Sequence, residues 1–188
     1  MKKFAIVGAL LAAVALITAP ARADDYSDTV SLFKNAGASS KFFSNSYGYA
    51  VFPTIGKGGI GIGGAHGTGR VYAHGKYVGD TSMTQLTVGL QLGGQAFSEI
   101  IFFEDERSFK EFTSGNFEFN AQASAVAITA AASASAGSSG GSAGASGGKK
   151  DATTAGHYYK GTVVFTVAKG GLMYEATIGG QKFTYNAI

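Results

Sequence analysis

Tyr47-Gly-Tyr-Ala-Val-Phe-Pro-Thr-Ile-Gly-Lys-Gly-Gly-Ile-Gly-Ile-Gly-Gly64 decides how the rest of the chain is read. Tyr49, Val51 and Phe52 supply the aromatic and β-branched surface of a buried strand. Pro53 has no amide hydrogen to give a ladder, so the strand is expected to stop there or to lie at a sheet edge. Beyond it, Ile60 and Ile62 alternate with Gly59, Gly61 and Gly63, so one face of the continuing strand carries no side chains. A face stripped in this way admits another strand, an aromatic ring or a ligand close to the backbone. The stretch predicts a β-rich domain with a glycine-faced seam, and what lies against that seam is the functional question.

Upstream, residues 1–23 read as a secretory signal peptide. Lys2 and Lys3 precede an apolar run from Phe4 to Ile17, and Ala21-Arg22-Ala23 forms a cleavage site with the cut between Ala23 and Asp24. The run is shorter than the roughly 20 residues of a membrane span. Export to a bacterial periplasm is expected, with the mature chain periplasmic or peripherally associated with the outer membrane. No cysteine occurs, which excludes a disulfide framework, thiolate metal sites, a cysteine nucleophile and a lipidated cysteine. Cleavage removes Lys2, Lys3 and Arg22 from 15 basic residues, leaving as many as the 12 acidic ones. A mature charge near zero argues against nucleic acid, which requires a clustered basic footprint, and against purely electrostatic attachment to anionic lipid.

Residues 24–188 are of a size for one domain. Residues 24–46 read as helical, with Ser27 as a cap, Val30 and Phe33 on one face, Gly37 as a stop, and Ser39 or Ser40 capping a second short helix with Phe42 and Phe43. Phe33, Phe42 and Phe43 either cover the sheet as core residues or enter lipid from an interfacial helix, with Lys34 and Lys41 meeting headgroups. After the seam, residues 66–69 read as a turn, 70–74 as strand, Gly75-Lys76 as a turn, and 86–92 as an alternating strand. Ile100 to Phe103 is apolar on both faces, and Glu104 or Asp105 caps a helix carrying Phe109 and Phe112 that ends at Gly115. Residues 117–128 alternate again, and Tyr158 to Val167 with Leu172 to Tyr185 read as a closing pair of strands. Between them the Ala/Ser/Gly tract of residues 130–154 reads mostly as a loop. The fold class expected is α+β: a mostly antiparallel glycine-rich sheet or partly closed barrel, with short N-terminal helices and one mid-chain helix.

Catalytic chemistry is hard to find in this sequence. Gly59-x-Gly61-x-x-Gly64 matches the dinucleotide string but runs into more strand instead of opening a helix. Lys57 is followed by Gly58, so no phosphate-binding loop forms. His66, His74 and His157 lack metal-ligand spacing and read as turn and surface residues. Glu99, Glu104, Asp105, Glu106 and Glu111 read mainly as acids around a helix N-terminus. No nucleophile elbow is present. The chain is expected to be neither an enzyme nor a cofactor carrier.

Taken together, Gly48-Tyr-Ala-Val-Phe-Pro53, Lys57-Gly-Gly-Ile-Gly-Ile-Gly-Gly64, Gly67-Thr-Gly69, Gly89-Leu-Gln-Leu-Gly-Gly-Gln95, Glu99-Ile-Ile-Phe-Phe103 and Ala168-Lys-Gly-Gly-Leu172 resemble the SYLF domain family, the actin-regulator domain of eukaryotes. The resemblance runs from about Val30 to the C-terminus. It implies a non-catalytic phospholipid-binding domain of the cell envelope. Eukaryotic members bind phosphoinositides and some bundle actin, a partner not expected for an exported bacterial chain. The candidate lipid-binding residues are Phe33, Lys34, Lys41, Phe42, Phe43, Lys57, Gly59, Gly61 and Gly63. Two alternatives stand beside this reading: a small outer-membrane β-barrel, and a structural envelope protein that pairs through exposed strand edges.

Overall fold

A computed structural model describes residues 22–60, 62–88, 94–128, 157–169 and 178–188. The expected loop at 130–154 and nearly all of the expected signal peptide lie outside these residues. The first described elements are two short helices, α1 (Ala23–Asn35) and α2 (Phe42–Asn45). Strands β1 (Gly48–Ile60), β2 (Ile62–Ala73), β3 (Lys76–Val88) and β4 (Gln95–Phe103) follow. Helix α3 (Glu106–Thr113) precedes β5 (Val126–Ile128), β6 (Thr162–Lys169) and β7 (Lys182–Ala187). The strands form one sheet in the order β5-β6-β4-β1-β2-β3-β7. All neighbours are antiparallel except β5 and β6, which run parallel.

Pro53 neither ends its strand nor places it at an edge. Residues 48–60 form a central strand between β2 and β4, and the proline falls in a bulge. Val51 pairs with Arg70 but Ile55 with Gly67, so β1 carries one residue more than its partner there. The bulge needs no amide hydrogen from Pro53, and the Ser98 hydroxyl donates to the Pro53 carbonyl at 2.7 Å. The seam is also two strands instead of one. Ile60 pairs with Ile62 and Gly59 with Gly63, so the chain reverses tightly within the glycine run. Gly59 (φ 151°) has its Cα-hydrogen side pressed against the Gly63 backbone, where no Cβ fits.

Residues 66–69, expected as a turn, lie mid-strand in β2. Their glycines make room for neighbours: a Cβ at Gly69 would stand 2.7 Å from the Phe52 ring, and one at Gly67 2.7 Å from Ile55. The real turn is His74-Gly75, with φ of 49° and 78°, a two-residue hairpin of the kind whose twist matches the strands.

Both faces of the central sheet are covered. On the outer face α1 and α2 lie over β1, β4 and β6. Tyr26, Thr29, Phe33 and Ala36 are buried at helical spacing, and Phe42 packs 5.6 Å from Phe102 and 5.4 Å from Phe165. The helix begins at Ala23 with Arg22 as its cap, so Ser27 lies inside it instead of at its start. On the inner face Phe112 of α3 sits 4.8 Å from Phe103 and 5.1 Å from Phe183. As expected, Asp105 caps α3, accepting from the Ser108 amide at 2.9 Å, and Gly115 (φ 85°) follows the helix.

The sheet is not closed into a barrel. Residues 117–119 bond to the β7 side, with the Phe119 amide donating to the Gln181 carbonyl at 3.0 Å and the Phe183 amide to the Phe117 carbonyl at 2.9 Å. Residues 126–128 then join β6 at the other edge. The segment between bridges the two edges without a continuous ladder, and the side chains of Phe119, Ala123 and Ala125 face the inner core. The expected closing pair is also corrected. β6 and β7 are separated by four strands, since β6 completes β4 and β7 completes β3.

Candidate functional site

The proposed lipid anchors fall into two groups set far apart. Phe33 and Phe42 are buried at 0% and 3% exposure, and Phe43 is half-buried, 4.9 Å from Phe102. They are the underside of the helical layer, because three phenylalanines at that spacing cover more of β4 than water could be left against. Presenting them to lipid requires α1 and α2 to leave the sheet, so in this conformation they are core. Lys34 and Lys41 remain exposed, their ammonium groups 5.4 and 5.1 Å from the Phe43 and Phe42 rings. Lys57, Gly59 and Gly63 belong to the far end of the β1–β2 hairpin. Ten residues of strand separate Gly59 from Tyr49, which packs on Phe43; that is roughly 30 Å at the strand rise. Gly61 lies outside the described residues. Ala23 and Asp24 open α1, where the expected cut would trim the helix start.

At the far end the glycine ribs divide. Those at Gly67 and Gly69 are filled by Ile55 and Phe52. Outward at Gly58 a Cβ would meet nothing within 4 Å, and at Gly64 only the Gln85 carbonyl at 3.6 Å. Gly58 pairs with Gly64, which pairs with Leu86, so the three share the outer face. On that face Ile62 is 71% and Leu86 79% exposed, and His66 lies beside Thr84, Nδ1 to Oγ1 3.4 Å. The result is an open patch: two bare backbone ribs beside two large aliphatic side chains, beyond the reach of the helical layer. Lys57, half-buried, stands on the same strand next to Gly58.

Glu99 does not belong with the other acids. Glu104, Asp105, Glu106 and Glu111 are exposed around α3, whereas Glu99 is fully buried on the inner face between Phe97 and Ile101. Gln181 Nε2 donates to its Oε2 at 3.0 Å, while Glu99 Oε1, Gln181 Oε1 and the hydroxyl of the cross-strand neighbour Thr166 have no hydrogen-bond partner among the described residues. Burial pushes the carboxyl up to about 7, and the Gln181 bond only partly opposes this. The alternation of Phe97, Glu99, Ile101 and Phe103 already placed Glu99 on an apolar face; nearness to α3 in sequence obscured it. No cluster of three or more histidines and acids suited to a metal occurs among the described residues.

No protein-family model matches the sequence. Over 156 residues, 82% of the chain, it is 26% identical to Beta cell expansion factor A of Aeromonas veronii. The match covers 51% of that protein, so the chain spans about half the length of this relative.

Proposed function

We propose that the protein is a non-catalytic phospholipid-binding domain of the bacterial cell envelope, acting at a membrane surface through the far outer face of β1, β2 and β3. The observation that carries this reading is the pair Ile62 and Leu86, largely exposed on one face beside the open glycines 58 and 64. Aliphatic side chains of this size left in water mark a contact surface. A bilayer fits this one because the bare glycine ribs let a broad apolar layer approach the strands beside the exposed aliphatic side chains. Burying both residues contributes at most about 3–6 kcal/mol, which supports reversible surface binding and not insertion. The resemblance to SYLF domains and the expected export signal point the same way.

Sedimentation of the full chain with vesicles of phosphatidylcholine and phosphatidylglycerol tests the reading. Wild type pellets with the vesicles, and the double variant Ile62→Ser, Leu86→Ser stays in the supernatant while melting at the same temperature. Pelleting persists at high salt, since apolar contact is not screened. Equal pelleting of the two proteins, or none by wild type, overturns the proposal.

A further inference from the structure

Turn 178–181 is fastened to the inner face of the sheet by two polar contacts, one part-buried and one buried. Gln85 Nε2 donates to the Gly179 carbonyl at 2.9 Å, and Gln181 Nε2 donates to Glu99 at 3.0 Å. The same turn holds residues 117–119, through Phe119 N–H to the Gln181 carbonyl and Gly180 N–H to the Phe119 carbonyl. Behind this seam lie the rings of Phe117, Phe119 and Phe183, mutually within 6 Å.

Among the described residues the groups that face Glu99 are uncharged. Phe52 opposes it on β1 and Thr166 on β6, Phe97 and Ile101 flank it on β4, and Gln181 reaches it from the turn. The charges of α3 are exposed and paired with one another, Arg107 with Glu111 and Lys110 with Glu106. Lys182 and Glu118 near the turn are exposed too, 3.9 Å apart. Among the described residues no cation reaches Glu99.

We infer that Glu99 and Gln181 form a proton-operated latch: with Glu99 neutral the seam of residues 117–119 and 178–181 is shut, and with Glu99 ionised it loosens. A neutral carboxyl keeps an oxygen to accept from Gln181 and gains an O–H for an acceptor now left without a donor. An ionised one places an unpaired charge in an apolar interior, a cost that burial makes large. Relief comes at the turn, because β4 is held by ladders on both sides whereas Gln181 lies outside the strands, just before β7. When Gln181 withdraws, residues 117–119 lose their partner and the three rings meet solvent.

The sign follows from the raised carboxyl. Its value in the folded chain, about 7, exceeds the roughly 4.3 of an unfolded glutamate. The stability supplied by the bound proton is complete below the unfolded value and is lost as pH rises through the folded one. The latch does not depend on the lipid reading and is tested in buffer alone. Thermal melts and amide exchange, corrected for intrinsic rates, are compared at about pH 5 and about pH 8 for wild type and Glu99→Gln. Wild type is expected to lose on the order of 5–10 °C in melting temperature. Its amides at Phe119, Gly180 and Phe183 lose protection at least about tenfold more than those of β1. Glu99→Gln keeps both unchanged. Equal pH dependence in the two proteins, or full protection of the wild-type seam at the higher pH, overturns the latch. Should the variant fail to fold, carbon-13 titration of the wild-type Glu99 carboxyl decides: ionisation near neutrality together with seam opening supports it, ionisation in the ordinary range overturns it.

Discussion

Gly69 and Gly58 look alike in the sequence and are opposites in the fold. A methyl group at Gly69 would stand 2.7 Å from the Phe52 ring and 2.8 Å from the Val51 carbonyl, and neither the ring nor the strand backbone has room to move. At Gly58 the same methyl group meets open space. Gly69→Ala should therefore cost about 1–3 kcal/mol of unfolding free energy, and Gly58→Ala should be neutral or slightly stabilising. Urea titration of the two variants separates a glycine kept for packing from one that merely leaves its surroundings bare. The sequence could not separate them, since the ring that fills the space beside Gly69 lies 17 residues earlier. Only the hairpin register brings the two together.

Among the elements, the helical layer was the most legible and the most easily misread. The spacing of Phe33, Phe42 and Phe43 announced an apolar underside, but an underside meant for a sheet and one meant for a bilayer have the same periodicity. Burial decides for the sheet. Phe42 contacts Phe102, Phe165 and Tyr158, so Phe42→Ala should cost about 3–5 kcal/mol. Its effect on vesicle binding should appear only where the domain has begun to unfold, a distinction that parallel melting and sedimentation curves would show. Helix α1 is tied down at its other end by Arg70, whose guanidinium lies 4.3 Å from the Tyr26 ring and 4.9 Å from Tyr77. Nothing local in the sequence linked those three residues. By contrast Asp105, Phe109, Phe112 and Gly115 gave α3 directly, because cap, face and stop all lie within a dozen residues.

Across the whole molecule, the sheet's order explains where the chain is firm and where it gives. β1, β2 and β4 have ladder partners on both sides, while β5 and β7 are the edges. Amides of Ala50, Val51, Ile100 and Ile101, all fully buried, should exchange slowest, and those of Val126 and Tyr185 several orders of magnitude faster. Time-resolved exchange with fragment or residue resolution measures this. A β-rich domain with one mid-chain helix could be read from alternation alone, but strand order could not. β6 and β7 are adjacent among the last described strands yet lie on opposite flanks, a choice made by long-range pairing that no short window contains.

One surplus residue at Pro53 also has an engineering corollary. Ala50 and Phe52 look inward before it, and Ile55 looks inward after it, so even-numbered positions hand the interior over to odd ones. The hairpin arm beyond is thus clocked to that handover. Its length can be changed only in pairs of residues on each strand; adding or removing a single one would rotate the greasy tip to the opposite hemisphere and bring the aliphatic groups round toward the aromatic interior.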